Sequence, residues 1–521
     1  MQKHRTYKRS SGSRWRNANL ELSDTVSKRL VSLVSEGFGC EDDFAVAYLK
    51  SEYLSKYCDE GLTPSSVRRN NAVEKWLATE NTNRATNARL AERDAGYNIL
   101  PRVTYSAFLK FARRIVSSVL GKLDDSVVLG SFSGGASTSR RRTESLPACK
   151  FSDKADATEA VGKFVDIIYR QAPLLQRYQI FSSLTEVQGA VMFTVPKKTD
   201  IDRVACKEPD LNMYLQKGVG KHIRRRLRRF GINLNDQSIN RSHAYQGSLT
   251  GDLATLDLSS ASDTVTIEAV RALLPTEWFE YLNDLRSHYV EVDGRYHRTE
   301  MFSSMGNGFT FELESLLFYA LVRTVTYFEG FPGIVSVYGD DIICPSGAYD
   351  AVTWVLKEFG FSVNLSKSFS EGPFRESCGG HYHTGHDVTP FYLKRKPTYL
   401  TDLIRVLNQL RRWACADYAR KYELPAIYKL WHELAVHVPQ DLWGGHDCAV
   451  DTSLASPGVP NKQLVRLSDD RKAPELGKYM HWHNTNSDRT TDIDDESFGL
   501  LETRNKCRKR SANPGAPRLS E

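Results

Sequence analysis

The eleven residues from Ile334 to Cys344, Ile-Val-Ser-Val-Tyr-Gly339-Asp340-Asp341-Ile-Ile-Cys, constrain the fold of this chain most strongly. Two short runs rich in β-branched residues flank a Gly-Asp pair, which is typical of two antiparallel strands joined by a tight turn. Because neighbouring side chains in a strand point to opposite faces, at most one of two adjacent carboxylates can enter the core. The sequence therefore predicts a hairpin whose tip presents acidic oxygens.

Two carboxylates at a hairpin tip suit a hard divalent cation. Magnesium prefers oxygen ligands and commonly binds through one or two carboxylates together with substrate phosphates. An ordinary acidic turn has the same local sequence, and a Gly-Asp-Asp triplet arises by chance in about one chain in ten of this length. The triplet therefore indicates metal-dependent phosphate chemistry only when other residues support it.

The composition predicts a soluble globular protein. A chain of 521 residues with 40% hydrophobic content can form about three domains of ordinary size. No apolar run approaches the ~18 residues that cross a bilayer, and no apolar segment follows the basic start, so we expect a cytoplasmic protein. The nine cysteines never form a Cys-x-x-Cys pair, which argues against a disulfide framework or a zinc ribbon.

A basic window lies between Pro196 and Arg229. It holds eleven basic residues against four acidic ones, so its net charge of +7 equals that of the whole chain. This concentration of charge indicates a partner rich in phosphate, although a solvated helix face would look the same. The basic residues are Lys197, Lys198, Arg203, Lys207, Lys217, Lys221, Arg224, Arg225, Arg226, Arg228 and Arg229.

Two further segments place polar groups before the hairpin. Residues 253 to 257 predict a short strand that ends at Asp257, with Asp263 six residues later at the start of a helix expected over Ala261 to Leu274. Asp263 could equally be an ordinary helix N-cap. The glycine-containing loop from Ser303 to Glu314 then leads into an apolar helix. All three segments fall within about 85 residues, and this order argues against coincidence.

Segments outside this region carry weaker signals. Residues 1 to 17 hold six basic residues and no acidic one, which is compatible with an arm that touches nucleic acid or with a plain terminus. Residues 21 to 122 have apolar residues at helical spacing. Gly130 to Ser139, followed by three arginines, predicts either a phosphate-binding loop or a linker.

The order of these motifs resembles the palm of template-dependent polymerases. Asp257 to Asp263 is similar to motif A, Gly306 to Glu314 to motif B, and Tyr338 to Asp341 to motif C, while the basic window is similar to the fingertip motif F. A closer resemblance is to the replicase beta subunit of the positive-strand RNA bacteriophages, the leviviruses. It covers roughly residues 130 to 415 and is carried by stretches 235–240, 304–317, 369–379 and 387–392.

The resemblance implies an α+β fold of the right-hand polymerase type, with fingers, palm and thumb, an antiparallel palm sheet, and mostly helical N-terminal and thumb regions. The implied domains are an N-terminal and fingers region (1–245, with fingertip 196–229), a palm (246–398), a helical thumb and C-terminal region (399–483) and a disordered tail (484–521). Apolar residues at helical spacing between Leu403 and Trp413 support the thumb.

The resemblance also implies RNA-templated RNA synthesis by a two-metal mechanism, started without a primer, that replicates a phage positive-strand RNA genome. The expected metal ligands are Asp257, Asp340 and Asp341, and the expected proton donor to pyrophosphate is Lys367. Asp263 would recognise the 2′-hydroxyl of the nucleotide. The other expected nucleotide-binding residues are Lys197, Lys198, Arg203, Lys207, Gly306 and Asn307, and the expected RNA-binding residues are Lys217, Lys221, Arg224, Arg225 and Arg226.

Cofactors and partners follow from the same resemblance. We expect two Mg²⁺ ions, which Mn²⁺ could replace, together with template RNA and nucleoside triphosphates. Leviviral replicases act with host elongation factors Tu and Ts and a ribosomal small-subunit protein, so the same partners are expected here, in the cytoplasm of the bacterial host and without a membrane. One departure concerns Glu314, which stands where many RNA polymerases have Asn, so the network that reads the sugar must differ.

Three alternatives stay open on the sequence alone. A reverse transcriptase-like polymerase would share the palm, although Asp263 at the sugar-reading position and Gly339 before the acidic pair favour an RNA product. A non-catalytic RNA-binding protein would explain the basic window but has no need for three positioned aspartates. A zinc site at Cys378, His381, His383 and His386 is disfavoured by its irregular spacing, because the resemblance gives that stretch to a hairpin leaving the palm.

Overall fold

The computed structural model describes residues 21–35, 43–414, 425–443 and 453–455. The expected N-terminal arm (1–17) and C-terminal tail (484–521) therefore lie outside the described residues. The chain divides into two compact units. One consists of Ser65–Asp387, and the other combines the segment before Ser65 with the segment that starts at Val388. The domain boundaries predicted for fingers, palm and thumb stay a prediction.

The described residues form a mixture of helices and strands. The helices are α1 Asp24–Val31, α2 Phe44–Glu52, α3 Ser65–Ala91, α4 Tyr105–Leu120, α5 Pro147–Lys150, α6 Val165–Gln171, α7 Pro173–Arg177, α8 Asp210–Arg228, α9 Ser238–Thr250, α10 Ile267–Leu273, α11 Thr276–Leu285, α12 Thr310–Phe328, α13 Tyr349–Glu358, α14 Leu400–Ala414 and α15 Pro425–Ala435. The strands are β1 Asn98–Leu100, β2 Val103–Thr104, β3 Lys154–Ala157, β4 Ser183–Glu186, β5 Ala190–Pro196, β6 Asp202–Lys207, β7 Leu253–Leu256, β8 Leu258–Ser259, β9 Tyr289–Val292, β10 Arg295–Arg298, β11 Ser336–Tyr338, β12 Asp341–Pro345, β13 Ser362–Val363, β14 Phe374–Ser377, β15 Gly380–His383 and β16 His386–Asp387. None of these helices is long and apolar enough to span a bilayer.

The predicted hairpin is confirmed as the centre of an antiparallel sheet. Strands β11 and β12 pair through Val337 and Ile342, and β12 pairs on its other side with β7 through Ile342 and Leu256. The strand order is therefore β11-β12-β7. Because β12 lies in the middle, the acidic turn is anchored by strand pairing to the segment that ends at Asp257.

The apolar helix predicted after the glycine loop is confirmed as α12, which packs against this sheet in the core. Residues on every side of it are buried, including Leu313, Leu316 and Leu321, which is typical of a helix surrounded by protein. Helix α8 approaches the start of α12 closely. A Cβ atom on Gly220 would lie 2.5 Å from the carbonyl oxygen of Gly308, so only glycine permits this approach.

The basic window folds as two elements rather than as one surface. Its first half begins at the last residue of β5 and continues through a turn into β6, which pairs antiparallel with β5 in a four-stranded sheet with β9 and β10. Its second half forms α8, most of which is buried. Glu208 joins the two halves to the glycine loop, since its buried carboxylate accepts hydrogen bonds from Gln216 (3.0 Å) and Ser304 (3.4 Å).

The helix expected over Ala261 to Leu274 is interrupted. Ser262–Thr264 forms a single 3₁₀ turn, and α10 begins only at Ile267. The backbone between them is pulled into strand-like pairing, because Val265 accepts a hydrogen bond from the Phe302 amide (2.7 Å). The helix N-cap is consequently Thr266 and not Asp263, so the capping alternative for Asp263 is wrong.

The Gly/Ser-rich segment 130–139 is an ordered part of the fold and not a linker. Its carbonyl groups surround the buried ammonium of Lys150, which donates to the Ser133 oxygen at 2.7 Å. Ser137 donates to the carboxylate of Asp210 at the start of α8 (2.6 Å). Burial lowers the pKa of Lys150 to about 8. These contacts fasten the segment to α8.

The second unit contains the helix predicted for the thumb. Helix α14 buries an apolar stripe that includes Leu403, Leu407 and Leu410. The N-terminal segment belongs to the same unit, and the Ser27 hydroxyl donates to the Pro397 carbonyl oxygen at 2.7 Å. The sequence grouped residues 1–64 with the fingers and did not indicate that they pack with the chain beyond Val388.

Candidate active site

The hairpin tip is a two-residue turn formed by Gly339 and Asp340. Tyr338 pairs directly with Asp341, and positive φ occurs at Gly339 (+61°) and not at Asp340, as in a type II′ turn. The Gly339 amide donates to the Ser315 hydroxyl (2.9 Å) on α12. A Cβ atom at Gly339 would lie 2.5 Å from the Phe311 ring. Glycine is therefore required by both backbone conformation and packing.

Asp257 lies directly beside this turn. It follows β7, and the antiparallel register that pairs Ile342 with Leu256 places Asp341 opposite Asp257. The Asn364 side-chain amide donates to the Asp257 Oδ2 atom at 2.9 Å, and the Asp257 amide donates to the Ser368 hydroxyl at 3.0 Å. The segment after α13 thus fixes the orientation of this carboxylate.

Asp341 is held differently from Asp340. Its Oδ1 atom accepts hydrogen bonds from the Cys378 amide (3.0 Å) and the Ser377 hydroxyl (3.2 Å), so it faces the predicted hairpin formed by β14 and β15. Among the described residues, no group of three His, Cys, Asp or Glu side chains is arranged to hold a metal ion. The three-carboxylate ligand set therefore stays a prediction.

The three aspartates nevertheless form one electrostatic group. Burial raises the pKa of Asp340, and the neighbouring Asp257 carboxylate raises it further. Burial also raises the pKa of Asp257. For Asp341, burial outweighs the hydrogen bond from Cys378 and raises the pKa to about 7, with Asp340 and Asp257 adding to the shift. Like charges brought together in a desolvated region favour either protonation or cation binding.

Asp263 and Glu314 extend this acidic region. Burial raises the pKa of Asp263 to about 6, against the effect of Lys197 and Lys75. The pKa of Glu314 lies well above its ordinary value because the side chain is buried, and Asp340 raises it further. The Ser262 hydroxyl donates to Glu314 Oε2 at 2.9 Å. The sequence singled out Glu314 but did not indicate its contact with Ser262.

Two of the residues predicted to bind the triphosphate interact electrostatically with the acidic side chains of this region. Lys197 and Arg203 both lower the pKa of Asp263 and of Asp340. Burial lowers the pKa of Lys197, and Arg203 and Lys75 lower it further. Lys207 instead lies over the Phe193 ring, 6.0 Å from its centroid, and Lys198 is exposed. Sequence reasoning missed Lys75, because nothing local to α3 connects it with residues more than a hundred positions away.

The predicted glycine loop contributes an unused donor. Met305 accepts a hydrogen bond from the Cys206 amide (2.8 Å), which fastens the loop to β6 beside the exposed Gly306. The buried Asn307 side chain accepts from the Phe309 amide (3.0 Å) through its oxygen. Its Nδ2 atom has no hydrogen-bond partner within the described part of the chain. This donor is therefore available to a water molecule, an ion or a ligand.

The arginines predicted to bind RNA are partly engaged inside the protein. Arg224 forms a salt bridge with Glu312 (2.7 Å) and donates to the Leu234 carbonyl oxygen (2.7 Å). Arg226 donates to the Ser118 carbonyl oxygen (2.8 Å). Arg225 lies near His222, at 3.4 Å, while Lys217 and Lys221 lie on the same helix. The RNA-binding role of these five residues stays a prediction.

Lys367 lies near both the acidic group and the β14–β15 hairpin. Its ammonium is 3.5 Å from Glu376 Oε1, and it lowers the pKa of Asp257. His381, from the set considered for zinc, is 3.6 Å from the same oxygen. Cys378 is buried, and its amide binds Asp341, so this stretch serves the acidic centre through its backbone.

Comparison with known proteins gives a consistent result. The family model described as RNA replicase, beta-chain, matches residues 18–510. The chain is 38% identical to the RNA-directed RNA polymerase beta chain of Enterobacteria phage fr, over 94% of this chain and 93% of that protein. It is 37% identical to the RNA-directed RNA polymerase beta chain of Escherichia phage MS2, with the same coverage. The solved RNA-dependent RNA polymerase of a human picorbirnavirus has a TM-score of 0.37 and 12% identity, over 77% of this chain and 86% of that one.

We predict that Gly339→Ala destabilises the protein by about 2 kcal/mol or more, because the new methyl group adds a clash with Phe311 to the strain of positive φ. The control is Gly294→Ala. Gly294 also has positive φ (+78°), but no atom lies within 4 Å of its Cβ position, so this change should lower stability by only about 1 kcal/mol. Chemical denaturation of both variants measures the difference.

A second substitution separates the clash from the backbone strain. Phe311→Leu in the Gly339→Ala background should recover part of the lost stability, because it removes the ring atoms that the methyl group would meet. Equal stability of the two glycine variants, with no recovery on changing Phe311, would contradict the close packing of the turn against α12.

Proposed function

We propose, from the premise that this chain belongs to the RNA replicase beta-chain family, that its acidic hairpin and the strand beside it form the catalytic centre. The chain is an RNA-directed RNA polymerase, as its relatives with 37–38% identity over 94% of its length are named. These relatives do not favour the reverse transcriptase or the non-catalytic alternative. The register that sets Asp341 opposite Asp257, next to the Asp340 turn, is the observation that supports the location of the centre.

Divalent metal ions would be held by Asp257 and Asp340, with Asp341 beside them. The residues fit such ions, since carboxylate oxygens suit Mg²⁺, and Asp257 raises the pKa of both hairpin aspartates, which makes them harder to ionise without a cation. Asp341 is oriented through Oδ1 by the Cys378 amide, so its second oxygen is the one available to a ligand. When bound, Mg²⁺ would neutralise the triphosphate and make the 3′-hydroxyl more acidic.

Nucleotide selection would depend on the partly buried region around Asp263. Its carboxylate would accept a hydrogen bond from the 2′-hydroxyl, the group that distinguishes ribonucleotides. Ser262 and Glu314 support this region through their hydrogen bond, in the place where other RNA polymerases have Asn. The unpaired amide of Asn307 would offer a donor to the nucleotide.

The triphosphate would lie against the cations of the β5–β6 hairpin. Lys197 and Arg203 act on both Asp263 and Asp340, so their charge is felt where a nucleotide would lie. Lys198 and Lys207 are proposed as more distant contributors. Lys367 would give a proton to the departing pyrophosphate, and its contact with Glu376 keeps its ammonium near Asp257.

The larger organisation follows from the family. Under this proposal the β11-β12-β7 sheet belongs to the palm, the β5–β6 hairpin to the fingers and α14 to the thumb. Synthesis would start without a primer and would copy a phage positive-strand RNA genome in the cytoplasm of the bacterial host. These finer assignments rest on the family resemblance.

We predict that Asp340→Asn reduces RNA synthesis by at least about a thousandfold, because it removes one metal-binding oxygen from the turn. RNA affinity should change little, since the basic residues are untouched. The assay is metal-dependent incorporation of labelled nucleotide on an RNA template, combined with filter binding of the same RNA.

The matched control is Asp350→Asn, which makes the same change at an exposed position in the first turn of α13. It should retain full synthesis. An equal loss of synthesis and RNA binding in the Asp340 variant would assign that residue a folding role and would contradict the proposal.

The raised pKa values predict a pH-dependent response to Mg²⁺. The folded pKa values of Asp341 (about 7) and Asp263 (about 6) lie above those of an unfolded chain, so the metal-free folded state binds protons more tightly. The stability that protonated Asp341 and Asp263 give to the metal-free folded state is therefore fully present below about pH 4 and is lost as the pH rises through about 7. Mg²⁺ should raise Tm more at about pH 7.5 than at about pH 5, because protonated carboxyls do not bind it.

Thermal unfolding in EDTA and in Mg²⁺ at both pH values measures this effect. Asp340→Asn should reduce the Mg²⁺-dependent rise in Tm, whereas Asp350→Asn should leave it unchanged. A rise in Tm that is the same at both pH values, or that survives in the Asp340 variant, would show that the ions bind elsewhere.

Assembly with host elongation factors Tu and Ts and a ribosomal small-subunit protein is a further part of the proposal. The unit that contains α14 exposes large apolar side chains, including Leu62 and Val436, which are 69% and 74% exposed. Large apolar side chains that lie together on a surface are typical of protein contacts, and the proposal requires these to form one patch. We predict that the chain purified from its bacterial host elutes with these proteins on size-exclusion chromatography, and that a lone chain is poorly active. Full activity of a lone chain would contradict this.

A further inference from the structure

A basic cavity lies outside the candidate active site. It has a volume of about 440 Å³, within the range of small-ligand pockets, and is formed by the start of the α3–α4 connection and the first turns of α4. We call it the α4 pocket. None of the residues considered above for metal, nucleotide or RNA binding lines it. Its lining residues are Arg93, Ala95, Tyr105, Ser106, Leu109, Lys110 and Arg113.

The charges of the α4 pocket are all positive. Its lining contains three cations and, among the described residues, no acid. Arg93 is balanced by Glu358, with which it forms a close salt bridge that Arg89 shares. Lys110 is exposed, and Arg113 uses one of its N–H donors on the Ala272 carbonyl oxygen. Lys110 and Arg113 are thus exposed at a cavity whose lining, among the described residues, contains no acid, and Glu358 already forms salt bridges with two arginines.

Tyr105, one of the residues that line the α4 pocket, has an unused hydroxyl. Tyr105 is 5% exposed, and its hydroxyl has no hydrogen-bond partner among the described residues. Its ring lies 5.4 Å from the Arg93 guanidinium and packs against Phe359. Leaving a buried hydroxyl unpaired is unfavourable by about 1–3 kcal/mol, so a ligand that enters the pocket and accepts from this hydroxyl would gain affinity.

We propose that the α4 pocket binds the phosphate of a nucleotide, carried either by an RNA strand or by a free nucleoside triphosphate. Lys110 and Arg113 would contact the phosphate oxygens, Tyr105 would donate its hydroxyl, and Leu109 would offer an apolar surface to the base or sugar. Oxygen anions are the ligands that a lysine, an arginine fork and a phenol recognise together. The inference that the bound phosphate belongs to a nucleotide rests on the proposed function. The binding measurement can be made without assuming that function.

The test compares two double variants of the full chain with equal loss of charge. Lys110→Ala with Arg113→Ala removes the two exposed cations of the pocket and leaves Arg93 in place. Arg114→Ala with Lys122→Ala removes two exposed cations, one on α4 and one just after its end, neither of which lines the pocket. Binding is measured in EDTA, where the metal that a triphosphate would need at the catalytic centre is absent. A short single-stranded RNA and ATP serve as separate probes.

The pocket variant should bind the probe about tenfold more weakly than wild type, and the control variant should not. If RNA is the source, the dependence of log affinity on log salt should also fall by about 1.4, or about 0.7 for each lost contact, in the pocket variant alone. If the free nucleotide is the source, only ATP binding should weaken. Indistinguishable behaviour of the two variants with both probes would overturn the proposal.

A third variant, which differs from wild type by one oxygen atom, tests the proposal even if the double variants fold poorly. Tyr105→Phe removes a hydroxyl that makes no hydrogen bond in the free protein, so Tm should not fall. The same change should weaken binding of the probe that the pocket recognises. A lower Tm, or unchanged affinity for both RNA and ATP, would show that the hydroxyl does not serve a ligand. Because neither readout requires synthesis, failure here would leave the catalytic proposal standing, and failure of the catalytic assays would leave this one standing.

Discussion

The burial of like charges is the constraint on which the structure around the hairpin depends. Burial raises the pKa of Asp257, Asp340 and Asp341, and each of the two hairpin acids is also affected by its neighbours. A fold that only minimised free energy would separate these groups or expose them. Here the three aspartates are held together by the register of the strands and by the turn that requires Gly339. Hydrogen bonds to one carboxylate oxygen each of Asp257 and Asp341 also hold them in place. Ionising these carboxylates together is therefore unfavourable in the folded protein, and a bound cation would reduce that cost.

The elements that resist this repulsion are themselves fixed by buried polar contacts. Arg375 is fully buried and donates to the Leu253 carbonyl oxygen (2.6 Å) at the start of β7, and to carbonyl oxygens of the loop before β14. Ser315 holds the turn from α12, and Asn364 holds Asp257. Each contact comes from a different segment of the chain, so the centre is positioned by the whole unit and not by the hairpin alone.

Local signals predicted the parts of this centre, and long-range contacts decided the rest. The hairpin, the strand before Asp257 and helix α12 follow from turn residues and hydrophobic periodicity, which the chain carries locally. The interruption before α10 could not be predicted, because it depends on pairing of Val265 with Phe302. Lys75 and the Ser262–Glu314 contact were missed for the same reason. Periodicity reports which face of an element is buried, but not which distant polar group it meets.

The basic window shows how counting charges can mislead. Arginine has five donors in a rigid fork, so it can satisfy several carbonyl oxygens at once when it turns inward. Arg224 and Arg226 do so through Leu234 and Ser118, whereas Lys197 and Arg203 lie where their charge lowers the pKa of Asp263. Some basic residues of the window therefore stabilise the fold, while others act on the acids of the candidate active site. An arginine whose donors are met inside the protein still adds to the field that attracts RNA, but it must break those bonds before it can grip a phosphate.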